Sequence, residues 1–202
     1  MKRNKTRDLV MLSMFICIEL VLMFTPLGYV PIGPLRATTM HIPVILAGIL
    51  LGRNQGALVG FIFGLSSIFV NTFTPTVVSF VFSPFYSLGE FSGNINSVII
   101  ALVPRILLGY GSGMLNDVVK INNNDVKEGI IAITMTLMHT ILVMSGIYVF
   151  FGSSYASAKD IAYETLMKVI VGVITTNGIM EAILAGIVVV VVCKAIRHVR
   201  RV

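Results

Sequence analysis

Six apolar runs, separated by polar or Pro- and Gly-rich breaks, constrain this chain more than any other feature of its sequence. They cover residues 8–24, 42–52, 56–70, 97–115, 129–151 and 161–196. A bilayer core about 30 Å thick takes roughly 20 residues of helix, so six such spans with short connections use nearly all of the 202 residues. Composition agrees: 56% of residues are hydrophobic and 12% charged, against roughly 45–50% and 25% in soluble domains. Too little polar surface remains to wet a globule. The expected fold is an all-α integral membrane protein with six transmembrane helices and re-entrant or structured outer loops, one domain over residues 1–202. The second run is too short to cross alone, so part of the segment before it is expected to dip into the membrane.

Charge placement sets the orientation. Lys2, Arg3, Lys5 and Arg7 precede the first run, and Lys194, Arg197, Arg200 and Arg201 close the last. Basic clusters flanking apolar spans follow the positive-inside rule, which explains the net charge of +6 without nucleic acid. The expected product is a multi-pass protein of the cell membrane with both termini in the cytoplasm and an even number of spans. The start has the basic and apolar parts of a signal peptide but no small-residue cleavage site, and reads as a retained helix. Cys17 and Cys193 lie inside apolar runs, where a thiol behaves as a small hydrophobe.

This topology puts three connections outside: 26–41, 71–96 and 153–160. The first two are much longer than the cytoplasmic turn at Arg53-Asn54-Gln55. Long irregular loops are usually functional, and backbone at membrane depth must be buried in protein or line a wet cavity. A binding site is expected at the outer face. Gly56, Gly60 and Gly64, and likewise Gly178, Ala182 and Gly186, stand four apart and read as close packing inside the molecule. The two halves show no repeat of each other, which counts against an inverted-repeat secondary transporter.

Polar residues within the runs are the sharpest signal. Glu19, Arg105, His139, Asn177 and Glu181 each fall inside a span, where a charge costs about 2.5–3.5 kcal/mol on the insertion scale. They are expected to face the bundle interior. Arg105 lies about 13 Å in from the outer end of its helix, at 1.5 Å per residue, and Asn177 and Glu181 share a face one turn apart. One reading makes Arg105, His139, Asn177 and Glu181 a polar pocket open to the outside. The other makes them interhelical bonds, for example Arg105 with Glu181. Glu19 is read as structural, and His139 as either a ligand contact or a satisfied core residue. The outer loops add Tyr29, Arg36, Thr38, Thr39, His41, Asn71, Ser79, Ser83 and Tyr86, with Arg36 either meeting an anion or resting at the headgroups.

The chain has no Gly-x-x-x-x-Gly-Lys-Ser/Thr loop for ATP and no His-Glu-x-x-His pair for zinc. Gly111-Ser112-Gly113 lacks the glycine two before the serine that a nucleophile elbow needs. The expectation is a protein with no enzymatic activity, no cofactor and no metal.

The stretch from Pro26 to Pro43, Pro-Leu-Gly-Tyr-Val-Pro-Ile-Gly-Pro-Leu-Arg-Ala-Thr-Thr-Met-His-Ile-Pro, resembles the first outer loop of energy-coupling-factor (ECF) transporter S components. Leu51-Gly52-Arg53-Asn54-Gln55-Gly56-Ala57, Pro75 through Pro84, Val103-Pro104-Arg105-Ile106 and Asn177-Gly178-Ile179-Met180-Glu181-Ala182 fit the same family, in the same order along nearly the whole chain. The resemblance implies a six-helix subunit that captures a vitamin outside and works with a membrane coupling subunit and two cytoplasmic ATPases. Family members dock through an Ala-x-x-x-Ala groove on the first helix. Ser13 and Cys17 hold those positions here, a departure from the pattern that leaves the docking surface open.

Within the family the loop with Arg-Ala-Thr-Thr-x-His-Ile-Pro is most similar to the pantothenate type. The implied ligand carries a carboxylate, for which Arg105 or Arg36 would serve, with Asn177 and Ser and Thr hydroxyls as partners. Other vitamins or precursors, such as hydroxymethylpyrimidine, pyridoxine, folate or cobalamin, stay open. So does a self-sufficient secondary transporter with Glu19, His139 and Glu181 as a proton relay.

Overall fold

The computed structural model describes residues 5–25, 28–32 and 35–199, with 29–32 and 35–37 described by backbone alone. Helix α1 (Lys5–Phe24) leads into an antiparallel hairpin, β1 (Tyr29–Ile32) and β2 (Leu35–Thr38), in which Tyr29 faces Thr38. Helices α2 (His41–Leu51) and α3 (Arg53–Phe73) follow, then a 3-10 turn (Ser79–Val81) and a two-residue-per-strand hairpin, β3 (Ser87–Leu88) and β4 (Phe91–Ser92). Helices α4 (Ile95–Val118), α5 (Asn124–Ala158) and α6 (Tyr163–Val173) lead to a π-helical turn (Ile174–Gly178) and α7 (Ile179–Val199). The rods alternate in direction. Both hairpins and the 3-10 turn therefore gather at one end, and the described chain ends lie at the other.

Short α2 is the axis of the bundle. Every residue from His41 to Leu51 except Leu50 is buried. A helix apolar on all sides is stable only when surrounded, and α2 packs against α1, α3, α4 and α7. The chain reverses from α2 to α3 at Gly52 alone, which adopts a φ of 96° that a side chain would disfavour. The expected turn at Arg53-Asn54-Gln55 is instead the first turn of α3.

The glycines expected to pack do so within the molecule. A Cβ on Gly60 would sit 2.1 Å from the Arg105 carbonyl oxygen, and one on Gly109 would sit 1.9 Å from that of Gly56. The α3 and α4 backbones thus touch, and no larger residue fits between them. On α7, Gly186 lies against Ile133 of α5.

Four rods are long and apolar enough to cross a membrane: Arg53–Phe73, Ile95–Val118, Asn124–Ala158 and Tyr163–Val199. Their outer faces, with those of α1, are lined by exposed apolar residues such as Leu9, Val21, Val149, Ile187 and Val191. So much contiguous exposed hydrocarbon identifies a lipid-facing surface. This is a membrane protein.

Two expected boundaries change. The turn expected over 153–160 is mostly helix, because α5 runs on to Ala158 after a kink at Phe151 (φ −133°, ψ 15°). Ala156, Leu166 and Ile170 then form a small core of their own beneath the reversal. The last helix is not continuous over 161–196: the π turn interrupts it at Ile174-Thr175-Thr176-Asn177-Gly178. Thr175 and Thr176 turn their hydroxyls back onto the Gly172 carbonyl (3.1 and 2.7 Å), the kind of side-chain competition that loosens a helix ladder. At the opposite end Arg197 of α7 bonds both Asp125 and Glu128 of α5, and Lys194 lies 3.9 Å from Asp125.

Candidate functional site

The site begins with a proline. Pro104 has no N–H, so the carbonyl of Ile100 one turn earlier lacks its helical donor. The Arg105 Nη1 donates to that carbonyl at 2.6 Å. The guanidinium is thereby drawn back along α4 toward the hairpin end, where it lies 5.4 Å from the ring centres of both Phe63 and Phe82. Two aromatic faces flanking a cation stabilise it. Arg105 is buried, with 7% of its surface exposed.

His139 of α5 stacks obliquely on the same Phe63 ring, centres 6.2 Å apart. Its Nε2 is buried and makes no hydrogen bond with the described residues. His41, the first residue of α2, is buried, and its ring rests against the backbone of Thr38 and Glu181. Glu181 of α7 accepts from the backbone N–H of Thr38 at 2.9 Å and from its hydroxyl at 3.0 Å. The same glutamate oxygen therefore ties the end of the first hairpin to α7. Arg105, His139, His41 and Glu181 form a connected polar series beneath that hairpin. The expected Arg105–Glu181 bond is not part of it, because Glu181 turns to Thr38.

Other expected residues lie elsewhere. Asn177 sits half-buried on the π turn, its amide oxygen 3.3 Å from the Thr176 hydroxyl, and the π turn adjoins β2. Thr39 lines a separate, wholly apolar groove of about 460 Å³ between α1, α2 and α7, with Met14, Ile18, Leu184 and Val188. Asn71, Ser79 and Ser83 are occupied by one another and by Thr72 and Thr76. Ser79 Oγ donates to Asn71 Oδ1 (2.7 Å) and accepts from the Thr76 N–H, while Ser83 Oγ pairs with the Thr72 hydroxyl at 2.6 Å. Tyr86 packs against the Phe80, Val81 and Phe151 cluster. Arg36 faces Pro31 in the hairpin register, and its side chain lies outside the described residues. Glu19 is fully buried in α1, and neither carboxylate oxygen has a hydrogen-bond partner among the described residues; no interhelical bond accounts for it. Ser13 and Cys17 are exposed on α1. Phe63 and Phe82 were not foreseen as site residues, since an aromatic in an apolar run carries no distinguishing mark.

The described residues contain no cluster of three metal-ligating side chains. What they assemble is a small bipolar site in a membrane bundle, with a cation at one side and a carboxylate at the other.

Residues 7–193 match the model of the family described as the ECF transporter, substrate-specific component, and this chain belongs to that family. It is 35% identical over 192 residues to the pantothenic acid transporter PanT of Lactococcus lactis subsp. cremoris, covering 91% of this chain and 96% of that protein. It is 29% identical over 201 residues to the pantothenate transporter PanT of Leuconostoc mesenteroides subsp. mesenteroides, covering 94% and 91%. A crystal structure of the S-component for biotin from an ECF-type ABC transporter aligns over 96% of this chain and 94% of that one, at 18% identity and a TM-score of 0.49.

Proposed function

We propose that this chain captures pantothenate at the outer face of the cell membrane and delivers it through a coupling subunit driven by two cytoplasmic ATPases. Arg105 carries the reading: a buried cation held by α4 and flanked by two rings binds an organic carboxylate strongly, since charge-assisted bonds in a dry site are the strong ones. Both similar transporters are named for pantothenate, which has a carboxylate, an amide and two hydroxyls. The polar series from Arg105 to Glu181 has groups suited to each.

In this reading the chain is one domain that spans the membrane six times. Helices α1 and α2 join the four long rods, both termini face the cytoplasm, and the hairpin end faces outward. The basic clusters at both termini support that orientation. The exposed Ser13 and Cys17 face of α1, beside the apolar groove, docks the coupling subunit.

Calorimetry of the purified chain in detergent against a vitamin panel tests the ligand; without Trp, fluorescence quenching would be a feeble substitute. Tight one-to-one binding of pantothenate supports the proposal. Tight binding of another vitamin replaces the ligand and keeps the role. Uptake by the chain alone in liposomes would replace the ATP-driven role with that of a self-sufficient transporter.

A further inference from the structure

The polar series has an order as well as a composition. Arg105 and His139 share the Phe63 ring, and His41 opens α2, which packs on α5, three residues after the Thr38 that bonds Glu181. A guanidinium and an imidazole thus stand at Phe63, and a second imidazole and a carboxylate at the end of the first hairpin. The Nε2 atoms of His41 and His139 are both buried and make no hydrogen bond with the described residues. Buried polar atoms in native proteins nearly always have partners, so two orphaned acceptor or donor nitrogens beside a cation and a carboxylate call for one. A neutral imidazole offers one donor and one acceptor nitrogen. Two such rings with inward Nε2 atoms match the carbonyl and the N–H of an amide.

Resting on the pantothenate reading above, we propose that the ligand enters in a single direction: carboxylate on Arg105, central amide between the Nε2 atoms of His139 and His41, and hydroxyl end toward Glu181. Charge dictates the polarity. A ligand carboxylate beside Glu181 would meet a like charge in a poorly screened site, whereas hydroxyls can donate to it. The histidine pair then acts as the ruler that fixes the distance between the two ends.

The test compares pantothenate with pantothenyl alcohol, in which a hydroxymethyl group replaces the carboxylate, by calorimetry on the whole chain. The wild-type protein should prefer pantothenate by at least about tenfold, equivalent to 1.4 kcal/mol. Arg105→Gln should abolish that preference, and Arg105→Lys should keep part of it. Glu181→Gln should weaken both ligands by the same factor and leave the preference intact. His41→Phe and His139→Phe should each weaken both ligands equally, because the amide is common to them. A preference lost in E181Q but kept in R105Q would show the ligand lying the other way round and overturn the proposal. So would an absence of preference in the wild type, or unchanged affinity in either histidine variant. If R105Q does not fold, R105K and E181Q decide between the two directions. A wild-type chain that binds no pantothenate would instead remove the functional reading on which the direction rests.

Discussion

The Arg105 guanidinium completes the hydrogen bond that Pro104 denies to the Ile100 carbonyl, 2.6 Å away. A residue that would ordinarily kink or break a helix, at a cost of about 3 kcal/mol, here positions its neighbour. Pro104→Ala restores the backbone donor and removes the reason for Arg105 to fold back. The variant should melt at a higher temperature and bind its ligand at least about tenfold more weakly, a loss of about 1.4 kcal/mol. Equal or tighter binding in calorimetry would show that the proline does not position the arginine.

Glu181 and Thr38 are 143 residues apart, and their two hydrogen bonds fasten the first hairpin to α7. Hydrogen bonds to a charged group contribute about 1.5–3 kcal/mol each. Glu181→Ala should lower the hydrogen-exchange protection of the Thr38 amide by at least tenfold (about 1.4 kcal/mol), while amides in buried α2 keep theirs. Unchanged exchange at Thr38 would mean that the hairpin is held by other contacts.

Gly60 and Gly172 make a matched pair. A methyl on Gly60 would overlap the Arg105 carbonyl, whereas one on Gly172 meets nothing within 4 Å. Gly60→Ala should lower the melting temperature in detergent, with overpacking costing about 1–3 kcal/mol, and should disturb ligand binding through Arg105. Gly172→Ala should be neutral or stabilise the protein by up to about 1 kcal/mol. Similar melting curves for the two variants would contradict the close contact of α3 with α4.

Replacing Ser13 or Cys17 by Leu changes only the exposed face of α1. Each substitution should weaken co-purification with the coupling subunit and leave the calorimetric affinity for ligand unchanged. Complexes as durable in detergent as wild type would place the docking surface elsewhere.

The family was legible in the stretches from Pro26 to Pro43 and around Arg105 and Asn177, the membrane environment in the apolar runs, and the buried polar residues in the rule that charges in such runs must find partners. Arg105, His139 and Glu181 came from that rule, and His41 from the first outer loop. The partners themselves were not legible: Glu181 meets Thr38 because the first loop folds as a hairpin. Its Pro- and Gly-rich sequence carries no clear alternation of period two to announce a strand. The π turn was hidden for a related reason. Thr175, Thr176 and Asn177 look like a polar patch in a helix, and the registry change depends on how their hydroxyls compete with the backbone. Asn71, Ser79 and Ser83 appeared available for a ligand, but three short hydrogen bonds within their own loop use the same atoms. Composition gives the inventory of donors and acceptors, and only chain topology assigns them.

The ion pairs of Arg197 with Asp125 and Glu128 join α5 and α7 at the end away from the hairpins. Toward the other end α5 kinks at Phe151 and the chain enters α7 through the π turn at Ile174–Gly178, where Gly178 packs on Thr140 of α5. Two rods clamped at one end and interrupted near the other behave as a pair of tongs. Amides of α5 and α7 near the first hairpin are therefore expected to exchange faster than those beside Arg197, as the jaws of such a tool move more than its pivot.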